Sequence, residues 1–261
     1  MNLIITSLEQ GLIFGILAMG VFLTYKVLNE ADLSVEGTFP FGAFVFAKFI
    51  MMGINPIIST IMAFLLGTLA GLTTCMLFIK LKIKPLLAGI LTMTIFYSVN
   101  LRLNGKANIP LFSYGSVFDM ASTSIILIIT VLGIKLLLDT FLKTEKGYLL
   151  MATGDNVSFV KSLGVNSNKY KVLGFMLANG LIALSGALMA QYQGFVDITM
   201  GTGVIVIALA SIIIGDTIKK NSSWFKSTSR AIVGAIVYKI IGGVAIDLGL
   251  APTDLKAISA I

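Results

Sequence analysis

The sequence predicts an all-α, polytopic membrane helix bundle of about eight transmembrane helices, with a broken helix near residues 29–40. Three observations predict it. Of 261 residues, 57% are hydrophobic and only 12% are charged, about half the charged share of a soluble domain. Mean hydropathy is +0.98. The apolar residues also fall in blocks close to the ~20 residues that a helix needs to cross the hydrocarbon core. A soluble enzyme and a disordered chain are both excluded by this balance.

Taken in order, the first span covers residues 3–28 and is followed by the polar tract Asn29-Glu-Ala-Asp-Leu-Ser-Val-Glu-Gly37. The second, residues 38–52, is short, and Asn55-Pro56 punctuates its end. The third covers 57–79, and Lys80, Lys82 and Lys84 crowd the next turn. The fourth covers 85–103, before a polar loop, 104–122, that carries Pro110 and Asp119. The fifth covers 123–142 and is followed by the longest polar segment, 143–171. The sixth then runs to residue 191, the seventh covers 203–218 and the eighth 231–250. Apolar character rises again in Asp254-Leu-Lys-Ala-Ile-Ser-Ala-Ile261, which reads either as the first turns of a shortened ninth span or as a surface tail.

The rare residues and the charges narrow the reading. The chain has no histidine, so the commonest general base and metal ligand is missing, and no catalytic residue or metal site is expected. Cys75, the only cysteine, forms no intrachain disulfide and reads as inert packing. The first apolar stretch is too long for a cleavable signal peptide and lacks a small-residue cleavage site. The formal charge of +7 reads as topology rather than as a nucleic-acid footprint. Twelve of the 19 basic residues lie in the turn around Lys82, the 143–171 segment and the 219–230 loop. Positive residues stay on the cytoplasmic side, which places these three loops inside, Lys26 at the inner end of span one, and the N-terminus outside.

Two tracts carry the functional candidates. The first is Thr153-Gly-Asp-Asn-Val-Ser-Phe-Val-Lys-Ser-Leu-Gly164. Asp155 or Thr153 can cap a short helix there, Val157, Val160 and Leu163 form an apolar stripe, Gly164 suits the left-handed ending, and Ser167 can cap the next helix. So short a helix needs a surface to dock on, either the protein's own helix ends or a cytoplasmic partner. The second tract holds Glu30, Asp32 and Glu36 between two apolar segments. Ser34 or Thr38 can cap a broken helix whose dipole faces a pathway; a cytoplasmic turn with solvated acids is the plainer alternative.

Polar groups also lie within the spans: Glu9, Lys48, Asn100, Lys135, Asn179 and Lys239. Intramembrane charge is costly and marks function by default. Lys135 and Asp139 are spaced for a same-face pair, Lys48 snorkels outward, and Lys239, the deepest, is expected against a carboxylate of another helix. Gly11-x-x-x-Gly15 and Gly67-x-x-x-Gly71 permit close helix approach.

Ala31-Asp-Leu-Ser-Val-Glu-Gly37 resembles the Asp-Leu-Ser-Val-Gly signature of sugar-importing ABC permeases. Gly154-Asp-Asn, Leu163-Gly-Val-Asn166 and Ala183-Leu-Ser-Gly-Ala-Leu-Met-Ala190 resemble the matching region of branched-chain amino-acid permeases. With Lys106-Ala-Asn-Ile-Pro-Leu-Phe112 and Ile214-Gly-Asp216, the whole string is most similar to the tryptophan/tyrosine-type ABC permease subgroup. Glu36 stands where the sugar permeases have glycine, which argues against a sugar. Family members also usually continue past the Asp-Leu-Lys motif into a last helix.

The resemblance implies a single permease domain over 1–261 in the plasma membrane. It implies a homodimer joined by cytoplasmic ABC ATPase subunits that hold ATP and Mg, and by an extracellular substrate-binding lipoprotein or periplasmic protein. Membrane lipid is the surrounding medium, no cofactor belongs to this chain, and no nucleic acid is involved. It also implies that the 144–170 loop docks on the ATPase through Asp155, Asn156, Val157, Phe159, Val160, Leu163 and Gly164. Asp32, Ser34, Glu36, Gly37, Thr38, Phe39 and Phe41 then line the pathway or its inner gate, with an amino acid, of aromatic type by resemblance, as substrate. An ion-coupled secondary transporter using Glu9, Lys239 and the acidic tract is the alternative. An intramembrane enzyme lacks a nucleophile constellation or paired deep carboxylates.

Overall fold

A computed structural model describes residues 3–218 and 226–249. The Asp254-Leu-Lys segment, with the ninth span expected there, and Lys219 and Lys220 lie outside the described residues. Ten α-helices carry the described chain: α1 (Leu3–Phe22), α2 (Val35–Met51), α3 (Pro56–Lys80), α4 (Pro85–Asn104), α5 (Thr123–Leu142), α6 (Glu145–Asp155), α7 (Val157–Ser162), α8 (Ser167–Gln193), α9 (Val204–Ile218) and α10 (Ser227–Asp247). The only sheet among the described residues pairs β1 (Asn108–Pro110) with β2 (Phe195–Asp197), antiparallel, Ile109 opposite Val196. The chain is an all-α polytopic bundle, as its apolar blocks predict.

Seven helical segments are long and apolar enough to cross a membrane: α1 with its extension to Val27, α3, α4, α5, α8, α9 with the turn before it, and α10. The eighth expected span is α2. Its 17 residues rise about 26 Å, short of the ~30 Å hydrocarbon core. Helix boundaries follow local chemistry. Asn55 accepts the Ile57 N–H and Pro56 occupies the first helical position of α3, a site where the missing N–H costs nothing. α1 widens into a π-helical turn over Leu23–Val27 before the chain leaves helix altogether.

The bundle has a centre and a rim. The spanning windows of α1 and α8 are 72% buried inside the protein, whereas those of α5 and α10 are only 22% buried. α1, α2 and α8 therefore form the core, and the other helices wrap it with faces open to lipid. On α5, Ile125, Ile129, Leu132, Leu136 and Leu137 all point outward. Without a hydrophobic drive between helices in lipid, association depends on close backbone approach. A side chain at Gly42 would overlap the Ala183 carbonyl, and one at Gly186 would overlap the Phe39 carbonyl, so α2 and α8 meet glycine to backbone. The two spaced glycine pairs work within the chain: Gly67 and Gly71 face α8, and Gly11 and Gly15 face α10.

Candidate translocation core and coupling surface

Between α1 and α2 the chain is non-helical from Leu28 to Ser34 yet stays buried at Leu28, Asp32 and Ser34. Glu30 meets Lys171 near the start of α8 at 2.6 Å, and Asp32 reaches Asn179, two helical turns further along. The segment thus climbs from one end of α8 to its middle. Irregular backbone at such depth persists only where protein surrounds it, and here side chains supply the missing partners. The Asp32 Oδ1 accepts the Ser34 N–H at 2.9 Å and its Oδ2 accepts Asn179 Nδ2 at 2.9 Å. Ser34 Oγ and Thr38 Oγ1 both donate to Asn179 Oδ1, at 3.1 and 2.8 Å. Asp32, rather than Ser34 or Thr38, therefore supplies the cap at the helix break, and both hydroxyls are turned to α8.

The remaining pathway candidates are held by the same core. Glu36 Oε1 accepts the Gly203 N–H at 2.9 Å, just before α9, where a helix N-terminus favours negative charge. Asn100 Nδ2 donates to the Gly37 carbonyl at 3.4 Å, and Asn100 Oδ1 is buried without a hydrogen-bond partner among the described residues. Phe39 stacks on Phe14 with centroids 6.0 Å apart, and Phe41 meets Phe96 edge-on at 4.6 Å; both rings are buried core.

Two polar pins tie rim helices to this centre. At one end of the bundle, Glu9 of α1 accepts Ser124 Oγ of α5 at 2.5 Å and the Tyr192 hydroxyl of α8 at 3.1 Å. At the other, Asp139 of α5 accepts Lys135 at 2.8 Å, Lys226 at 3.0 Å and Thr228 at 2.6 Å. The Lys135–Asp139 pair is the one its spacing predicts. Lys239 departs from expectation: its ammonium lies 3.9 Å from the centroid of the Phe14 ring, and among the described residues it forms no ion pair. An aromatic face can hold a cation by its quadrupole, and Glu9, the carboxylate within the neighbouring α1, is already taken by Ser124 and Tyr192.

The 144–170 loop folds as two short helices. Thr144 caps α6 by accepting the Gly147 N–H at 3.2 Å, Asn156 caps α7 through the Phe159 N–H at 3.0 Å, and Asn166 caps α8 through the Asn168 N–H at 3.0 Å. Two of the expected caps fall one residue away, at Asn156 rather than Asp155 and at Asn166 rather than Ser167; Asp155 ends α6, and Thr153 is buried with its hydroxyl on the Leu149 carbonyl. Gly164 has φ +73°, the left-handed ending its position predicts. Val160 is buried, whereas Phe159 and Leu163 are each more than half exposed. With Tyr148, Leu149 and Val165 they line a 660 Å³ groove whose rim carries Lys143 and Glu145. Gly154 of α6 lies flat against the Val27 carbonyl, where any side chain would overlap it. α6 therefore touches the π-helical end of α1 directly before the helix break.

Sequence reasoning missed Tyr148, the Glu30–Lys171 pair, and Gln191 and Tyr192. The signal for the last two was present as Gln191-Tyr-Gln193, a polar run closing an apolar span. At the same end, Asn108 Nδ2 donates to Asp197 Oδ2 across the small sheet, and the Thr199 hydroxyl and N–H donate to Asp197 Oδ1. The Thr199 hydroxyl, foremost among these donors, holds the Asp197 carboxyl below its ordinary range.

Comparison with known proteins follows the same length of chain. The chain is 48% identical over 262 residues to a tyrosine transport system permease protein of Clostridioides difficile, covering 100% of this chain and 89% of that one. It is 34% identical over 268 residues to an uncharacterized protein of Rickettsia prowazekii, covering 100% and 95%. It is 28% identical over 229 residues to the autoinducer 2 import system permease LsrC of Escherichia coli, covering 85% and 64%. The fold is similar to PsaBC from Streptococcus pneumoniae, solved in complex with Fab, with a TM-score of 0.56 at 18% identity, covering 100% of this chain and 89% of that one. A family model described as branched-chain amino acid transport system, permease component, matches residues 3–258. With the buried helix break, the intramembrane polar core and the capped helix pair already in place, the chain belongs to this family of ABC transporter permeases.

Proposed function

We propose that this chain is the membrane-spanning subunit of an ATP-driven importer for an amino acid, with an aromatic amino acid, tyrosine first, as the substrate. The observation that carries the reading is the contact between α6, which α7 packs against, and the end of α1. The groove lined by Tyr148, Phe159 and Leu163 offers an ATPase subunit an apolar socket on rigid, capped helices. Pressure on α6 passes through Gly154 to Val27 and Leu28, and from there along the chain to Asp32 and the Asn179 core. A two-state element biased from a distance is how such closure is transmitted. In this reading the 28–34 segment is the inner gate, and its carboxylates hold the closed backbone in place.

The substrate class rests on the relative's printed name, a tyrosine transport system permease, at 48% identity over the whole chain. The chain acts as one domain in the plasma membrane, paired with a second copy and fed by an extracellular binding protein. ATP and its magnesium belong to the ATPase, because this sequence carries no Gly-x-x-x-x-Gly-Lys-Ser/Thr loop to cradle phosphates. The basic loops and the N-terminus are read as inside and outside respectively. Lys26 and Arg230 both meet Asp216 at one end of the bundle, which supports grouping those charges on one side.

The test is reconstitution with the ATPase and binding protein in vesicles, followed by paired measurement of ATP hydrolysis and tyrosine uptake. Gly164→Pro is expected to break the left-handed helix end and leave hydrolysis running without uptake. Normal uptake by that variant sinks the coupling assignment; uptake driven by an ion gradient without ATPase sinks the importer class.

A further inference from the structure

A second cavity, of 260 Å³, lies at the opposite end of the bundle from the α6–α7 groove, between the 105–122 loop and the end of α8. Its size is close to the lower end of small-molecule pockets, about 300 Å³, and suits a single amino acid. It is built rather than incidental. The Leu111 N–H donates to the Gly194 carbonyl at 2.7 Å, and the Val117 N–H to Gln191 Oε1 at 3.0 Å. The Ser116 N–H donates to Asp119 Oδ2 at 2.7 Å and the Phe118 N–H to Ser116 Oγ at 3.0 Å, and β1–β2 clamps the base of the loop. Gly194, at φ +75°, leaves the space that the Phe112 ring occupies; a side chain there would overlap it.

The lining has two kinds of chemistry. Phe112, Tyr114 and Tyr192 present rings, and Tyr192 is fixed from behind by Glu9. Asp119 offers a carboxylate. Opposite in charge preference, the Gln193 side-chain amide and the Gly115 N–H have no hydrogen-bond partner among the described residues. Rings for a ring, a carboxylate for an ammonium, and N–H donors for a carboxylate are the complement of a free aromatic amino acid. We propose that this outer-end cavity is a receiving site for an aromatic amino acid, with its ammonium toward Asp119, its carboxylate toward Gln193 and Gly115, and its ring among Phe112, Tyr114 and Tyr192. The proposal rests on the aromatic-substrate reading above and adds a low-affinity site on the permease itself.

The test uses the full chain in lipid nanodiscs, alone and assembled into the complete importer, with L-tyrosine, L-alanine and 4-hydroxyphenylpropionate as probes. Wild type is expected to bind L-tyrosine at millimolar or lower concentration, and L-alanine at least about tenfold more weakly. Gly115→Trp fills the cavity, and its Cβ meets only ordinary contacts; it should abolish binding of both ring-bearing probes. Asp119→Asn keeps an oxygen for the Ser116 N–H, and should weaken L-tyrosine by about tenfold while leaving the ammonium-free probe unchanged. An unaltered unfolding temperature checks that both variants fold. If the complete importer takes up tyrosine but the chain binds none, or binds it equally in Gly115→Trp, the receiving site is overturned and the substrate reading stands. If Gly115→Trp loses the binding protein but keeps free tyrosine, the cavity is a docking socket and the site is overturned. If the importer takes up no aromatic amino acid, both readings fall together.

Discussion

Asn179 makes four hydrogen bonds from the middle of α8, two accepted from Ser34 and Thr38 and two donated to Asp32 and the Phe175 carbonyl. A leucine there would leave a buried carboxylate and two hydroxyls without their shared partner. Leaving buried polar groups unsatisfied costs about 1–3 kcal/mol each, so Asn179→Leu should destabilise the folded chain by about 3 kcal/mol or more, read as thermal unfolding in detergent. Asn179→Asp removes the amide donor to Asp32 and should destabilise the chain as well. Asp197 makes a different, exposed case. Its carboxyl is held below the ordinary value of 3.8 by Thr199 first and by Asn108. Its contribution to the β1–β2 pair is then fully present above pH 3.8 and is lost as pH falls through the lower, folded value. Hydrogen exchange at the Thr199 amide should show that loss in the parent protein, and Asp197→Asn should remove the dependence. Thr199 is a local partner of Asp197, but Asn108 arrives only through the strand pairing of residues 108 and 197, so the full cluster was not legible in the sequence.

At the scale of elements, α7 depends on its ends. Six residues are too few to persist as a helix in water, so the Asn156 cap and the Gly164 ending carry much of its order. Asn156→Ala should cost about 1 kcal/mol locally and loosen the groove. The measurement is hydrogen exchange over residues 157–163 together with the ratio of ATP hydrolysed to substrate moved; an unchanged ratio alongside increased exchange would separate local order from coupling. Gly154 tests the next link. A valine there must push α6 off Val27, so Gly154→Val should reduce coupled uptake more than it reduces ATPase binding. The loop was readable as a capped helix with an apolar side from the sequence. The residues that turned outward were not, because Val160, Phe159 and Leu163 were sorted by where α6 and α8 happened to cover them.

For the whole molecule, the arrangement of charge gives a direct test of sidedness. Cys75 is fully buried, so single cysteines introduced elsewhere report with little background. Ala121 and Ser158 are both exposed, at opposite ends of the bundle. Ala121→Cys should react with a membrane-impermeant maleimide added outside intact cells, and Ser158→Cys only after the membrane is opened. The reverse pattern would invert the proposed orientation.

Fold class, the approximate number of apolar segments and the ends of α3, α4 and α5 were determined by the sequence alone, because apolar run length is a local property. Residues 123–142 and 85–103 are read almost to the residue as α5 and α4. What only the tertiary structure decided was which polar groups meet. Asp32 and Asn179 are 147 residues apart in sequence, and Glu9 and Tyr192 are 183 apart; nothing in their local patterns distinguishes a solvated acid from one closing a core. The pairing comes from glycine-lined helix packing that brings α1, α2 and α8 together. In a low-dielectric interior each buried polar group must then find whatever partner that packing presents.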